Sequence, residues 1–523
     1  MGVYLNPGND KFRRIINSEI YIDKTGLILY TNKVLDTQQQ NICVSRPRRF
    51  GKSMAANMLA AYYSRECESK ELFKGLKIYE DKNFEKYLNK YDTIFLDMQE
   101  FLSQTENMTE MIELIRKSVL WELTAKYDDI RYFDNSNLTR SLQDIYLNTK
   151  IPFVIIIDEW DCIFREYKNN IDEQRKYLDF LRDLLKDKSY IHLAYMTGIL
   201  PIKKYGTHSA LNMFSEFSMT NPRQLTSYVG FTEDEVNELS ERYNISLSDL
   251  KEWYDGYHFG ENETIYSPKS VVEAVTSGIC DTYWNQTETF EALKMYIELN
   301  IDGLKDAVIS MMSGEKIPVN TATFANDMTT FCTKDDVLTL LIHLGYLGYD
   351  FQAKCVYIPN REVMTEYVNA ISLSQWGGIS VALKNSNEIL EAIWQNKPEK
   401  VASGIEQAHF ETSHIQYNDE NALSYTISLA LYTARNYYTV IREMPTGKGF
   451  ADMVYIPKKR FADKPAIVME LKWNKKAEGA IKQIKEKHYS EQIKAFSGEI
   501  LLVGINYDKK TKKHKCIIEK YQK

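Results

Sequence analysis

Long apolar runs are missing from this sequence: no stretch of about 18 apolar residues occurs in it, so no membrane-spanning helix and no membrane partner are expected. The start, Met1-Gly2-Val3-Tyr4-Leu5-Asn6-Pro7, lacks the basic segment and apolar run of a secretion signal, which makes a cytoplasmic location the expectation. Cysteine is scarce and scattered. Cys43, Cys67, Cys162, Cys280, Cys332, Cys355 and Cys516 are odd in number and show no Cys-x-x-Cys spacing, which argues against a disulfide framework or a zinc knuckle and for buried thiols in a reducing compartment. The eight histidines show no paired spacing, so a histidine-based metal site has little support. Internal repeats and low-complexity segments are also lacking.

What is present is globular material in quantity. At 523 residues, 44% of them hydrophobic, the chain exceeds one core, and about three or four folding units are expected. The net charge of -7 is unevenly spread. From Ile441 onward 20 Lys and Arg face 10 Asp and Glu, a surplus of +10, which leaves -17 for the rest. A basic C-terminal unit on an acidic chain points to a polyanion, or to lysines that only solvate one surface.

Residues 41–200 alternate short apolar runs with longer helical patterns, the mark of parallel βαβ units. The runs lie at 41–44, 93–97, 153–158 and 192–197, and the third is uninterruptedly apolar, as a central strand covered on both faces requires. Residues 231–300 read as a helical lid, with a helix opening at Phe231-Thr232-Glu233. In 301–410, a helix capped by Thr333-Lys334-Asp335-Asp336 followed by a strand at Cys355-Val356-Tyr357-Ile358 suggests a winged-helix-like middle within helical linker material. Residues 411–523 return to mixed α and β, and 1–230 form the first core.

A phosphate cradle needs converging backbone N–H groups, a lysine that reaches the β and γ phosphates, and a hydroxyl for Mg2+. The loop Pro47-Arg48-Arg49-Phe50-Gly51, followed by Lys52, Ser53 and Met54 at a helix start, supplies them between a strand and a helix. The first glycine of the usual pattern is replaced by Arg46. The strand ending Ile157-Asp158-Glu159 offers Asp158 to Mg2+ and Glu159 to polarise the attacking water. Asp97 competes for the metal role but lacks a following glutamate, and Asp158 is preferred. Thr197 at the fourth strand tip is a sensor for the γ-phosphate or a threonine that satisfies backbone.

These segments, together with Tyr21-Ile22-Asp23-Lys24-Thr25, Thr197-Gly198-Ile199, Trp253-Tyr254-Asp255-Gly256-Tyr257 and Tyr266-Ser267-Pro268, resemble the AAA-ATPase-like family of bacterial proteins over roughly residues 5–275. The resemblance implies a P-loop parallel-sheet ATPase with a helical lid that uses ATP and Mg2+. It also implies that Arg46 is a family variant, and it brings in homo-oligomers in which a neighbour's arginine completes the site.

A metal-dependent phosphodiesterase needs two carboxylates for a divalent cation and a lysine near the attacking water. Glu470-Leu471-Lys472 ends the apolar run Ala466-Ile467-Val468-Met469, so strand alternation puts Glu470 and Lys472 on one face. Asp452 precedes Met453-Val454-Tyr455-Ile456, and a hairpin would unite the three. A similar triplet, Glu68-Ser69-Lys70, has no such strand before it. Gln483 follows on a helix, with Tyr489 beyond. This set resembles the PD-(D/E)xK nuclease superfamily over about 411–523, an α/β restriction-endonuclease-like domain, and the resemblance implies a further acidic metal ligand on an earlier helix, for which Glu420 is the match. The favoured expectation is an ATPase coupled to a Mg2+-dependent nuclease that acts on DNA rather than RNA. A nucleotide-switched protein whose nuclease-like domain only binds nucleic acid or a partner is the alternative, with a chaperone-like ATPase third.

Overall fold

The computed structural model describes residues 2–202, 211–259, 263–284, 290–299, 301–325, 328–329, 331–372, 377–411, 420–446, 449–475, 477–486 and 498–521. They form two compact units, Met1–Thr287 with Lys316–Val363, and Glu288–Glu315 with Met364–Lys523. The 301–410 span therefore contributes to both units.

The first unit is built on five parallel strands: β1 Asn41–Ser45, β2 Asp92–Asp97, β3 Phe153–Asp158, β4 Ile191–Gly198 and β5 Ser215–Phe217, in the order β2-β3-β4-β1-β5. All neighbours pair in parallel, as the βαβ pattern requires. The four expected runs are β1 to β4. The fifth strand was not legible, because three residues, Ser215-Glu216-Phe217, carry no periodicity. Phe153, Val154, Ile155, Ile156 and Ile157 have no exposed surface, consistent with a central strand. Because β4 lies between β1 and β3, the tips of all three strands fall side by side.

Three helices, Glu233–Tyr243, Leu247–Tyr254 and Pro268–Ser277, follow that sheet and bury Val236, Leu239, Leu250, Tyr254, Val271 and Val275 together. Thr232 opens the first with a reciprocal capping box to Glu235. A small antiparallel sheet, β6 Phe231–Thr232, β7 Tyr257–His258 and β8 Thr264–Tyr266, accompanies them in the order β6-β8-β7. The helix Lys334–Leu344 also starts in a capping box, Thr333 with Asp336. The same unit holds a second small antiparallel sheet, β9 Ile317–Pro318, β10 Gly348–Asp350 and β11 Cys355–Tyr357, in the order β10-β11-β9.

The second unit carries β12 Tyr438–Thr446, β13 Gly449–Pro457, β14 Ala466–Trp473, β15 Ile500–Asp508 and β16 Lys513–Lys520, in sequential order. Only β14 and β15 run parallel. Alternation sorts the side chains onto two faces. Met453, Tyr455, Ile467, Met469 and Leu471 pack with Ile393, Val401, Ile405, Leu423 and Ile427 of the helices Gly377–Trp394, Pro398–Glu411 and Glu420–Ala430. Val454, Val468 and Leu502 turn the other way, onto Ile481 and Ile484 of the helix Ala477–Glu486.

Candidate functional site

The loop after β1 leads into the helix Lys52–Tyr63 through Gly51, whose φ of 90° lies in the left-handed region that glycine adopts without strain. The helix N-terminus opens on a cavity of about 1170 Å³. Its polar wall holds Arg48, Arg49, Gly51, Lys52, Ser53, Asp158, Glu159 and Arg165, while Ile15, Ile22, Met58, Phe231 and Val272 give it an apolar side. Phe50 and Met54 line it as well, whereas Pro47 and Thr197 are not among its lining residues.

Lys52 is 4% exposed, and its ammonium donates to the Pro47 carbonyl at 2.9 Å. Burial lowers the Lys52 pKa, while Glu159, Asp161 and Asp158 oppose that shift. Burial raises the Asp158 carboxyl, and donation from the Ser53 and Thr197 hydroxyls pulls against it. Thr197 thus bonds Asp158 directly from the strand between β1 and β3. Asp97 also lines the cavity, but its carboxylate caps the helix Met98–Ser103 by accepting from Gln99 and Glu100 N–H at 3.0 and 3.3 Å.

Glu159 turns out of β3 with φ 52° and forms an ion pair with Arg165, which also stands 3.6 Å from Asp161. Asp161 is fully buried and accepts from the Ile199 and Leu200 N–H groups at 3.1 and 2.8 Å, which ties the Asp158–Asp161 turn to the end of β4. Gly198 is required there, since a Cβ would stand 2.6 Å from both Asp161 Oδ1 and Trp160 Cδ1. Arg46 is not among the residues that line the cavity. It is fully buried, donates to the Ser45 and Phe217 carbonyls at 3.0 and 3.2 Å, and lies over the Phe259 ring, with burial lowering its pKa to about 10. Arg46 therefore ties the start of the loop to β5 through the Phe217 carbonyl.

In the second unit, the β13–β14 register pairs Met453 with Met469 and Val454 with Val468. Extended by one residue it sets Asp452 opposite Glu470, on the Val454 and Val468 face. Asp452 accepts from the Leu471 N–H at 2.6 Å. Glu470, 1% exposed, accepts from Lys472 Nζ at 3.0 Å and from the Gln483 amide. Gly504 lets the Gln483 helix come close, because a Cβ there would meet Ala477 O at 2.9 Å and Ala480 Cβ at 3.0 Å. Asp452, Glu470 and Lys472 thus lie together on the β13–β14 hairpin, and Gln483 reaches Glu470 from the helix Ala477–Glu486. Glu420 opens a helix whose Leu423 and Ile427 pack on the opposite face, and its side chain, like Tyr489, lies outside the described residues. Among the described residues no group of three or more His, Cys, Asp or Glu side chains could hold a metal. Two carboxylates nevertheless suit Mg2+, which keeps several waters and takes one or two protein carboxylates.

A parallel sheet whose lysine loop, strand-tip acid and helical lid enclose one cavity is a P-loop ATPase fold. Residues 7–207 match the family model described as "Predicted AAA-ATPase", and residues 420–516 match that of the "PD-(D/E)XK nuclease superfamily". The chain joins an AAA-ATPase-like region to a PD-(D/E)XK nuclease superfamily region.

A curated relative, the "Uncharacterized protein in vnfD 5'region" of Azotobacter chroococcum mcd 1, is 22% identical over 280 residues, 51% of this chain; the chain spans about half the length of that relative (51%). Two solved structures are similar at 11% identity. One is a Walker-type ATPase of Pyrococcus abyssi, with a TM-score of 0.33 over 66% of this chain and 94% of that one. The other is the ORC2 protein of Aeropyrum pernix in ADPNP and ADP complexes, with a TM-score of 0.29 over 69% of this chain and 97% of that one. No described helix is long and apolar enough to cross a membrane.

Proposed function

We propose that this protein binds and hydrolyses ATP in its first unit and cuts DNA in a metal-dependent reaction in its second. The observation that carries the reading is the meeting of Asp452, Glu470, Lys472 and Gln483 on one sheet face, in a chain that also brings Lys52, Ser53, Asp158 and Glu159 to one cavity.

In the first unit Lys52 and the N–H groups of the loop would hold the triphosphate, Ser53 and Asp158 would hold Mg2+, and Glu159 would accept a proton from the attacking water. In the second, Asp452 and Glu470 would hold Mg2+, which when bound supplies charge for the attacked phosphate. Lys472 would stabilise the negative charge that develops on that phosphate, and Gln483 would orient Glu470. The surplus of +10 beyond Ile441 supports a nucleic-acid substrate.

A second reading has one observation in its favour. Glu470 already accepts from Lys472 and Gln483, and Asp452 from Leu471, as in an internally balanced charge cluster. Under it, ATP acts as a switch and the second unit only binds nucleic acid or a protein. Purified protein incubated with plasmid, single-stranded DNA and RNA, in Mg2+ or Mn2+, with and without ATP, separates the two. Metal-dependent cuts in DNA support the nuclease; binding without cuts in either metal supports the switch.

A further inference from the structure

Arg165 is a charged residue of the nucleotide cavity that belongs neither to the loop pattern nor to the acidic strand tip. It sits on the short helix Cys162–Glu166, its side chain is 11% exposed, and it lines the cavity beside Lys52, Ser53, Asp158 and Glu159. It holds the Glu159 carboxylate and stands 3.6 Å from Asp161, and its positive charge adds to the lowering of the Lys52 pKa.

This pairing has a chemical consequence. Glu159 is turned toward Arg165 and its carboxylate is occupied by the guanidinium, so it is held off the attacking water while the pair lasts. A triphosphate held by Lys52 brings several negative charges into the same cavity, and planar guanidinium groups bind phosphate oxygens bidentately. Asp161 would keep the Arg165 stem anchored during such an exchange, because it is itself fixed to the Ile199 and Leu200 N–H groups.

We propose that Arg165 acts in cis on ATP: its guanidinium passes from Glu159 to the γ-phosphate, which frees Glu159 to accept the proton of the attacking water. As the water oxygen bonds to the γ-phosphorus, the bond from that phosphorus to the bridging oxygen breaks and ADP leaves with the electron pair. The proton taken by Glu159 then passes to the released phosphate. Arg165 thereby steadies the charge that builds up on the transferred group, from within the same chain. The inference rests on the ATPase reading above.

The test compares wild type, Arg165→Ala and Arg165→Lys by equilibrium binding of ADP and of ATP and by steady-state hydrolysis. Arg165→Ala is expected to keep ADP affinity, to lose about tenfold in its preference for ATP over ADP, and to lose about 100-fold in kcat. Arg165→Lys is expected to recover part of both. Unchanged ADP binding also reports an intact loop, so a folding defect is read directly. An unchanged ATP preference and kcat in Arg165→Ala would overturn the proposal. So would equal losses of ADP and ATP binding in both variants, which mark a merely structural residue. Wild-type protein that binds ATP without turnover defeats the ATPase reading instead, and the ATP preference then still decides the role of Arg165.

Discussion

Asp452 and Glu470 face each other across two antiparallel strands, and the Leu471 N–H that follows Glu470 donates to Asp452 at 2.6 Å. The couple is thus fixed by backbone as well as by register. A one-residue slip in either strand would carry one carboxylate to the face packed by Leu423 and Ile427.

The Gln483 helix is held to this couple by the absence of a side chain at Gly504. Gly504→Ala would drive a Cβ to 2.9 Å from Ala477 O, so the helix must shift away. A loss of about 1–3 kcal/mol in stability is expected, with weaker DNA cleavage than wild type at equal folded fraction. Thermal unfolding and plasmid nicking on one preparation check it; unchanged values in both would contradict the close approach.

Gly198 plays the matching part in the first unit. Gly198→Ala places a Cβ 2.6 Å from Asp161 Oδ1 and Trp160 Cδ1, which disturbs the turn that carries Asp158 and Glu159. ATP hydrolysis is expected to fall at least tenfold, by about 1.4 kcal/mol or more in barrier. Steady-state phosphate release measures this.

The strands that carry both sites were legible because chemistry sits at the ends of apolar runs. Phe153–Ile157 announces Asp158, and Ala466–Met469 with its alternation announces Glu470 and Lys472. Arg165 was not legible, because Glu159 itself takes a left-handed conformation and Arg165 lies on the short helix beyond it, and no period connects them. The two-unit division was hidden for a related reason. Met312 and Ser313 give their carbonyls to Arg435 and Arg442, over a hundred residues away in sequence, and local patterns do not record such contacts.

Lys52 donates to the Pro47 carbonyl and faces the cavity through the helix N-terminus. Lys52→Ala is expected to weaken ATP binding at least tenfold and to abolish hydrolysis. Isothermal titration with ATP, in parallel with phosphate release, checks it. Retained affinity would place the nucleotide elsewhere.

Glu366, in the helix Arg361–Ser372, is fully buried, neither of its carboxylate oxygens has a hydrogen-bond partner, and burial raises its pKa from 4.5 to about 7. A raised folded-state pKa means that the protonated form favours the fold. Its stabilising contribution is complete below pH 4.5 and is lost as pH rises through about 7. Compared with Glu366→Gln, wild type is expected to lose thermal stability between pH 4.5 and about pH 7 and to level off above that. Parallel pH profiles for the two proteins would contradict this.

The most direct measurement is DNA cleavage and ATP hydrolysis side by side in wild type, Glu470→Ala and the isosteric Glu470→Gln, with Mg2+ or Mn2+ present. Both substitutions are expected to cut cleavage at least about 100-fold and to leave the rate of ATP turnover unchanged. Cleavage at the wild-type rate in either folded variant would contradict a metal-dependent nuclease built on Asp452 and Glu470.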